Sequence, residues 1–303
     1  MRSAWSWALM ASLAGASAAD AQGKINRGFR VDPTVAIRIH NLVGSTTVTG
    51  WDHDSVHAAG TIPPTGGSFY GGGAGRLAKL GIEGQDLGAG GPGATLNVRV
   101  PRGARVWIKS AAASVILGDL SGEVEVASVT GSITLQGAPR VATLETIDGE
   151  VTIAGSATMV RARTGSGAVR VEGARGNLTV ATIQGPVTVV TNELLAGRIE
   201  TVSGTVEVRG GIPPNGQLEV ETHDGAVNLF IPTPIDARFD LSTVKGSIVT
   251  RMGDGTDQPR DRTARFSIGK KAGVGRGALI NVRTFSGTIR IDGMPAGGRR
   301  SGT

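Results

Sequence analysis

The chain has no cysteine, which excludes disulfides and thiolate-ligated metal centres. Aromatic residues are scarce, with one Tyr, four Trp and six Phe in 303 residues, although a compact globular core normally leans on such large side chains. Long apolar runs are missing as well. The one near the start, Ala4 to Ala16, is too short to be a good membrane span. Acidic charge is thin towards the C-terminus: residues 251–303 hold eleven Lys/Arg against four Asp/Glu, while the rest of the chain is close to neutral.

Glycine is abundant, at 48 residues. Val, Ile, Leu and Thr sit between the glycines at short intervals, a pattern of short strands and tight turns too regular for disorder. The opening "MRSAWSWALMASLAGASAADAQ" joins Arg2 to an apolar stretch and to small residues at Ala19 and Ala21. That is the pattern of a secretory signal, residues 1–21, with cleavage after Ala21. No cysteine follows it to carry a lipid. The expectation is an exported, soluble chain in the periplasm or at the cell surface.

One phrase recurs: Thr/Ser-x-x-Gly-x-apolar-x-apolar. It is centred on Gly131, Gly149, Gly167, Gly185, Gly204, Gly225, Gly246 and Gly287, and a degenerate copy has Ala113 in the glycine slot. The first steps are 18 residues, then 19, 21, 21 and 41. A period near 20 signals a solenoid whose repeats are single structural units. Apolar residues occupy the second and fourth positions after each glycine, as in Ile133 and Leu135 or Val151 and Ile153. They also occupy the second and fourth positions before most of the Thr/Ser residues, as in Val126 and Val124. This is period-two alternation on two short strands per repeat. Eighteen residues cannot hold a βαβ unit. The expected fold is therefore all-β, a parallel β-solenoid of about 18 residues per rung. The corner glycine is expected to need a positive φ or a close backbone approach, and the Thr/Ser hydroxyl to satisfy buried corner groups.

The expected organisation is an irregular β segment over 22–100, solenoid repeats over 101–293 and a flexible tail over 294–303. Residues 61–95 read as a glycine-rich flexible loop. Residues 251–277 read as a basic loop leaving one rung and returning to the next.

Three features together resemble the DUF4097 family of bacterial β-strand-repeat proteins, labelled adhesins. They are the ladder itself, "GSTTVTGWDHDSVHAAG" (Gly44 to Gly60) and "LNVRVPRGARVWIKS" (Leu96 to Ser110). The resemblance covers about residues 31–293. It implies a β-solenoid of the bacterial envelope without known catalytic residues.

Candidate chemistry is sparse. His53 and His57, on a strand, would stand about 13 Å apart and read as a solvated face rather than a shared metal site. His40 and His223 are isolated and read as structural. "GSFYGGGAGRLAK" lacks the Gly-Lys-Ser/Thr ending of a phosphate loop, so no nucleotide cofactor, and no cofactor of any kind, is expected. Glu200, Glu219, Glu221 and Asp240 fall on one outward face of three successive rungs. They could act on a glycan or bind calcium, but Arg198 and Arg238 are placed to offset them. In the 251–277 insertion, Arg260, Arg262, Arg265, Lys270, Lys271 and Arg276 form a candidate polyanion contact.

The leading functional expectation is a non-catalytic envelope scaffold, adhesin-like, with a binding surface for cell-envelope glycans or anionic polymers. The alternative is a polysaccharide lyase or hydrolase built on a β-helix. A third reading, a regulatory or envelope-stress partner, is not separable from the first, and no protein partner is identified.

Overall fold

A computed structural model describes residues 23–86, 88, 92–191, 193–252, 258–269 and 277–295. The expected signal, residues 1–21, lies outside the described residues. The chain opens with β1 (Gly23–Arg30) and the pair β2 (Ala36–His40) and β3 (Gly44–Trp51). After β4 (Ser55–Ile62) and β5 (Ser68–Ala74) comes the pair β6 (Leu77–Glu83) and β7 (Ala94–Pro101). Seven regular pairs follow: β8 (Arg105–Lys109) with β9 (Ser114–Leu120), β10 (Glu123–Ala127) with β11 (Ile133–Gly137), β12 (Val141–Glu145) with β13 (Val151–Ala154), β14 (Met159–Thr164) with β15 (Val169–Glu172), β16 (Gly176–Thr182) with β17 (Val187–Thr191), β18 (Leu194–Thr201) with β19 (Val206–Gly210), and β20 (Gln217–Thr222) with β21 (Val227–Thr233). Last come β22 (Ala237–Thr243) with β23 (Ile248–Arg251), the short β24 (Gln258–Arg260) and β25 (Thr263–Ile268), and β26 (Ala278–Thr284) with β27 (Ile289–Pro295). No helix occurs among the described residues.

Each pair is one rung of a parallel β-solenoid. Its first strand joins a 13-stranded sheet and its second a 14-stranded sheet. The register is the one the columns demand: Ile133 lies beside Val151 and Leu135 beside Ile153, while Val124 lies beside Ala142 and Val126 beside Leu144. These residues are buried between the sheets. Eleven stacked rungs at about 4.8 Å each make a rod roughly 50 Å long. Aliphatic side chains fill the narrow interior, and several of the few aromatics sit at its ends. Phe29 on β1 and Phe69 on β5 pack against the core at one end, and Phe239 stacks on Phe266 of β25 at the other, with ring centroids 4.8 Å apart.

At both ends the spatial order departs from chain order. At the C-terminal end, β20 and β22 are neighbours not of each other but of β26, and β21 and β23 are separated by β27. The last rung in sequence is inserted behind the one before it. The segment between them does not form a plain exposed loop: β24 and β25 turn back antiparallel on β23 and β22 and cover the end of the stack. The N-terminal end repeats the arrangement with the chain reversed. The pair β6 and β7 is outermost, covered by antiparallel β5 and β4, and β2 and β3 fill the position next to β8 and β9. The stretch 61–95, expected as a flexible loop, thus carries β5, β6 and the start of β7, and 22–100 is irregular mainly in its strand order. β27 extends to Pro295, into the expected tail. Residues 296–303 lie outside the described residues. Covering strands matter because a bare sheet edge is a template for pairing with other chains. The cationic, proline-containing strands β24 and β25 are suited to blocking that.

The corner explains the repeated phrase. Backbone N–H groups of Gly131, Gly167, Gly185, Gly204, Gly225, Gly246 and Gly287 donate to the hydroxyl three residues earlier, from Ser128 at 3.1 Å to Thr284 at 2.9 Å. Some of these hydroxyls also donate to the carbonyl of the corner glycine one rung away, as Thr164 does to Gly149 at 3.1 Å. The Thr/Ser column is therefore buried yet satisfied, as expected. The glycines of this column are absent from the positive-φ residues, so close approach, not φ, dictates glycine. A Cβ on Gly149 would lie 2.2 Å from the Gly131 carbonyl oxygen, and one on Gly167 would lie 1.8 Å from that of Gly149.

Two outcomes follow from this packing. Gly149→Val drives a branched side chain into the neighbouring corner and is expected to cost about 3 kcal/mol or more, whereas exposed Ser132→Val changes stability by roughly 0.5 kcal/mol or less. Comparable losses in thermal melts would refute the corner contact. A chain ending at Gly277 lacks β26 and β27, which leaves a gap inside both sheets. It is expected to lose its cooperative melt and aggregate in size-exclusion chromatography, whereas a chain-order stack would only lose its last rung and keep a melt near the parent's.

Candidate binding face

Of the insertion residues proposed from sequence, three are described. Arg265 on β25 pairs with Asp240 at 2.8 Å. Arg260 lies over the Phe266 ring, 4.7 Å from its centroid, and donates to the Thr250 hydroxyl at 3.2 Å. Both are thus engaged in the C-terminal cover. Arg262 is exposed. Lys270, Lys271 and Arg276 lie outside the described residues.

The outward carboxylates do not form one set on three successive rungs, because β26 places Asn281 between Glu219 and Asp240. Each carboxylate meets an arginine: Arg198 reaches Glu200 at 2.5 Å and Glu219 at 3.0 Å, Arg283 reaches Glu221 at 3.5 Å, and Arg265 holds Asp240. The offsetting arginines are therefore Arg198, Arg283 and Arg265, not Arg198 and Arg238. His53 and His57 do not share one straight strand. The chain turns between β3 and β4 and brings both to Trp51, with ring centroids 4.9 and 6.4 Å away, and His57 bonds Asn26 at 3.0 Å. His223 stacks on Phe285 at 4.8 Å. Among the described residues, no group of three or more His, Asp or Glu stands close enough to hold a metal ion.

Sequence reasoning did not anticipate the cationic face near the N-terminal end, on the outside of the 13-stranded sheet. Alternation puts Arg105, Trp107 and Lys109 of β8 outward, with Arg38 and His40 of β2 and Lys79 of β6. The strands align in order β5, β6, β2, β8, β10. One row then reads Gly72, Lys79, Arg38, Trp107, Glu125, and the next reads Tyr70, Gly81, His40, Lys109, Ala127. Gly81 leaves no side chain between Tyr70 and His40, and the Tyr70 hydroxyl lies 2.8 Å from His40 Nδ1. A Cβ on Gly81 would fall 2.3 Å from the His40 carbonyl oxygen. The Lys79 ammonium lies 5.2 Å from the centre of the Tyr70 ring, close enough for a cation–π contact. The Trp107 indole N–H donates to Glu125 at 2.9 Å. Arg105 faces Glu123 at 3.8 Å, but Arg38, Lys79 and Lys109 form no ion pair with a described residue. These side chains border adjoining hollows on one surface.

The charge imbalance is felt by His40. Partial burial, then the positive charges of Lys79, Lys109 and Arg38, hold its proton affinity below the ordinary histidine value. Its neutral form is favoured in the folded chain, so the unfolded chain binds the proton first as pH falls. Stability from this group is complete above about pH 6.5 and declines as pH drops from there towards the lowered folded pKa. His40→Asn is expected to flatten the fall in melting temperature between about pH 6.5 and 5. An unchanged slope would show that the proton affinity of His40 is not lowered by folding.

The fold is that of a β-solenoid, with this open, strand-built cationic face near one end. The family described as Toastrack DUF4097 matches residues 91–292, and the chain belongs to that family. Among solved structures, similarity extends to a "putative adhesin" from Parabacteroides merdae, with 10% identity, 88% of this chain and 95% of that chain covered, and a TM-score of 0.44. It extends also to a "putative adhesin" from Bacteroides fragilis, with 10% identity, coverage of 90% and 98%, and a TM-score of 0.35. A "putative cell adhesion protein" from Clostridium sporogenes has 10% identity, coverage of 90% and 100%, and a TM-score of 0.24. No curated protein matches the sequence. Among the described residues, no helix is long and apolar enough to cross a membrane.

Proposed function

We propose that this protein is an exported, non-catalytic scaffold of the bacterial envelope, adhesin-like in role, whose rigid rod presents a surface for glycans or other envelope polyanions. The observation that carries the reading is the cationic face of Arg38, Lys79 and Lys109, none of which forms an ion pair with a described carboxylate. Like charges held together raise the free energy of the unliganded surface and favour an anion arriving there. The export pattern at Arg2 to Ala21 supports the location. The non-catalytic part rests on the carboxylate face. Acid–base chemistry on a glycan needs carboxyl groups free to bind and exchange protons, whereas Glu200, Glu219, Glu221 and Asp240 are held by arginines on a strand surface. The basic insertion is a second, weaker candidate for anion contact, because Arg260 and Arg265 already serve the fold.

A glycan and polyanion retention screen on residues 22–303, with and without calcium, tests this reading. Retention that is strong at low salt and lost at high salt is expected, with no new reducing ends or unsaturated sugars released from the retained polymer. Failure to retain any polyanion would overturn the binding role, and steady release of such products would overturn the non-catalytic one.

A further inference from the structure

Resting on the reading of the protein as a polyanion-binding scaffold, we propose that the outer face of β2, β6 and β8 is a binding site for an acidic saccharide. A sugar ring lies against the Trp107 indole, and its carboxylate is held by Lys79, Lys109 and Arg38.

The composition of the face selects this ligand. Trp107 is half-buried, with its N–H already satisfied by Glu125. The indole thus offers an apolar ring surface and no further donor, which suits the C–H face of a sugar. Glu125 is engaged by the indole on the β10 side, and the other charged groups beside Trp107 are cationic: Arg38 is its register partner on β2, and Lys109 follows two residues along β8 on the same face. Lys79 is the register partner of Arg38 on the other side. The guanidinium can bind a carboxylate in two-point fashion, and the lysines supply mobile point charges. The hollows join these groups, since Lys79 borders three adjoining depressions and Trp107 two of them. Gly72, over which a Cβ would meet nothing within 4 Å, leaves the rim open above Lys79.

The extent of the charge argues against a nucleic acid. A strand of nucleic acid needs a cationic track with successive stacking platforms. Here the cationic side chains are bordered by Glu123 and Glu125 on β10 and by Glu83 at the end of β6, and β6, β2 and β8 together span about 10 Å. That distance suits one or two sugar units rather than a tracked polyphosphate backbone. The contact is expected to be strongest where an acidic unit is exposed, at a chain end or on a branch.

Isothermal titration of residues 22–303 with tetragalacturonate, with fully methyl-esterified tetragalacturonate and with oligo-dT tests the assignment. Trp107→Ala and the double variant Lys79→Gln/Lys109→Gln are compared with the parent, and circular dichroism melts report the fold. Tetragalacturonate is expected to bind the parent at least tenfold more tightly than the neutral ester, and each variant is expected to lose at least tenfold. The double variant changes only exposed side chains, so it tests the site even if Trp107→Ala destabilises the rod. Equal binding by parent and double variant would overturn this site while leaving the scaffold reading in place. Tighter binding of oligo-dT through the same residues would overturn the ligand class. A parent that retains other polyanions but no acidic saccharide would also overturn it. A parent that retains no polyanion at all would remove the underlying reading.

Discussion

The structure depends on one contact, the touching of successive corners through their backbones. Each corner glycine lies against the carbonyl of the residue in the same slot one rung away, Ala113 for Gly131 and a glycine for the rest, at a separation that admits no Cβ. The hydroxyl of the preceding Thr or Ser occupies the space inside the corner and takes up the N–H that the turn would otherwise leave unpaired. Both demands repeat wherever rungs stack, so the phrase repeats. Ala113 can stand in the glycine slot of the β8–β9 rung because the neighbour on its outer side is the variant corner Asn41 to Gly44. There the Asn41 side chain ties the corner differently, its Nδ2 donating to the carbonyls of Ser45 and Ala94 and to the Thr46 hydroxyl while its buried Oδ1 accepts from no described residue.

A stack held by such contacts has two vulnerable ends, and the chain treats both alike. It places an outermost rung, covers that rung with antiparallel strands, and fills the skipped position with a rung nearer the terminus, β2–β3 at one end and β26–β27 at the other. Three of the six phenylalanines, Phe29, Phe69 and Phe266, lie in these covers, where packing is no longer constrained by a rung on each side. The arginine-rich insertion also belongs here: Arg260 and Arg265 hold the cover to the stack through Thr250 and Asp240. Charge that looked like a binding loop is partly a device for finishing a sheet.

The outer faces carry a different logic. Across most of the rod, outward acids and bases meet in exposed pairs such as Arg198 with Glu200 and Glu219, each contributing little to stability in high-dielectric water but enough to leave the surface balanced. The face around Trp107 breaks that balance, and His40 within it has a depressed proton affinity, owed first to burial and then to the nearby cations. A second departure runs along the corners, where Val129, Ile147, Ile183, Val202 and Val244 stand exposed in a column. Their backbone N–H or carbonyl groups help tie corner to corner, as in the bond from Ile147 N to the Val129 carbonyl, while their side chains point away from the core.

The sequence by itself determined the rung: its two alternating strands, the buried columns, the capped corner and parallel stacking. These are local or periodic demands, and like residues must align for them to be met. It also marked which residues face outward, since parity within a strand is enough for that. It did not reveal the rung at Ala36 to Trp51, where Asn41 replaces the Thr and Thr46 an apolar residue. Nor did it reveal which rung lies beside which at the ends, because columns of the same residue type fit equally well in either order. Only the tertiary structure decided that β26 and β27 lie inside the stack and that β6, β2 and β8 are neighbours. Lys79, Arg38 and Trp107 are far apart in the chain, and no period links them. Their meeting depends on the non-sequential closure of the N-terminal end, a choice made by the packing of whole strands.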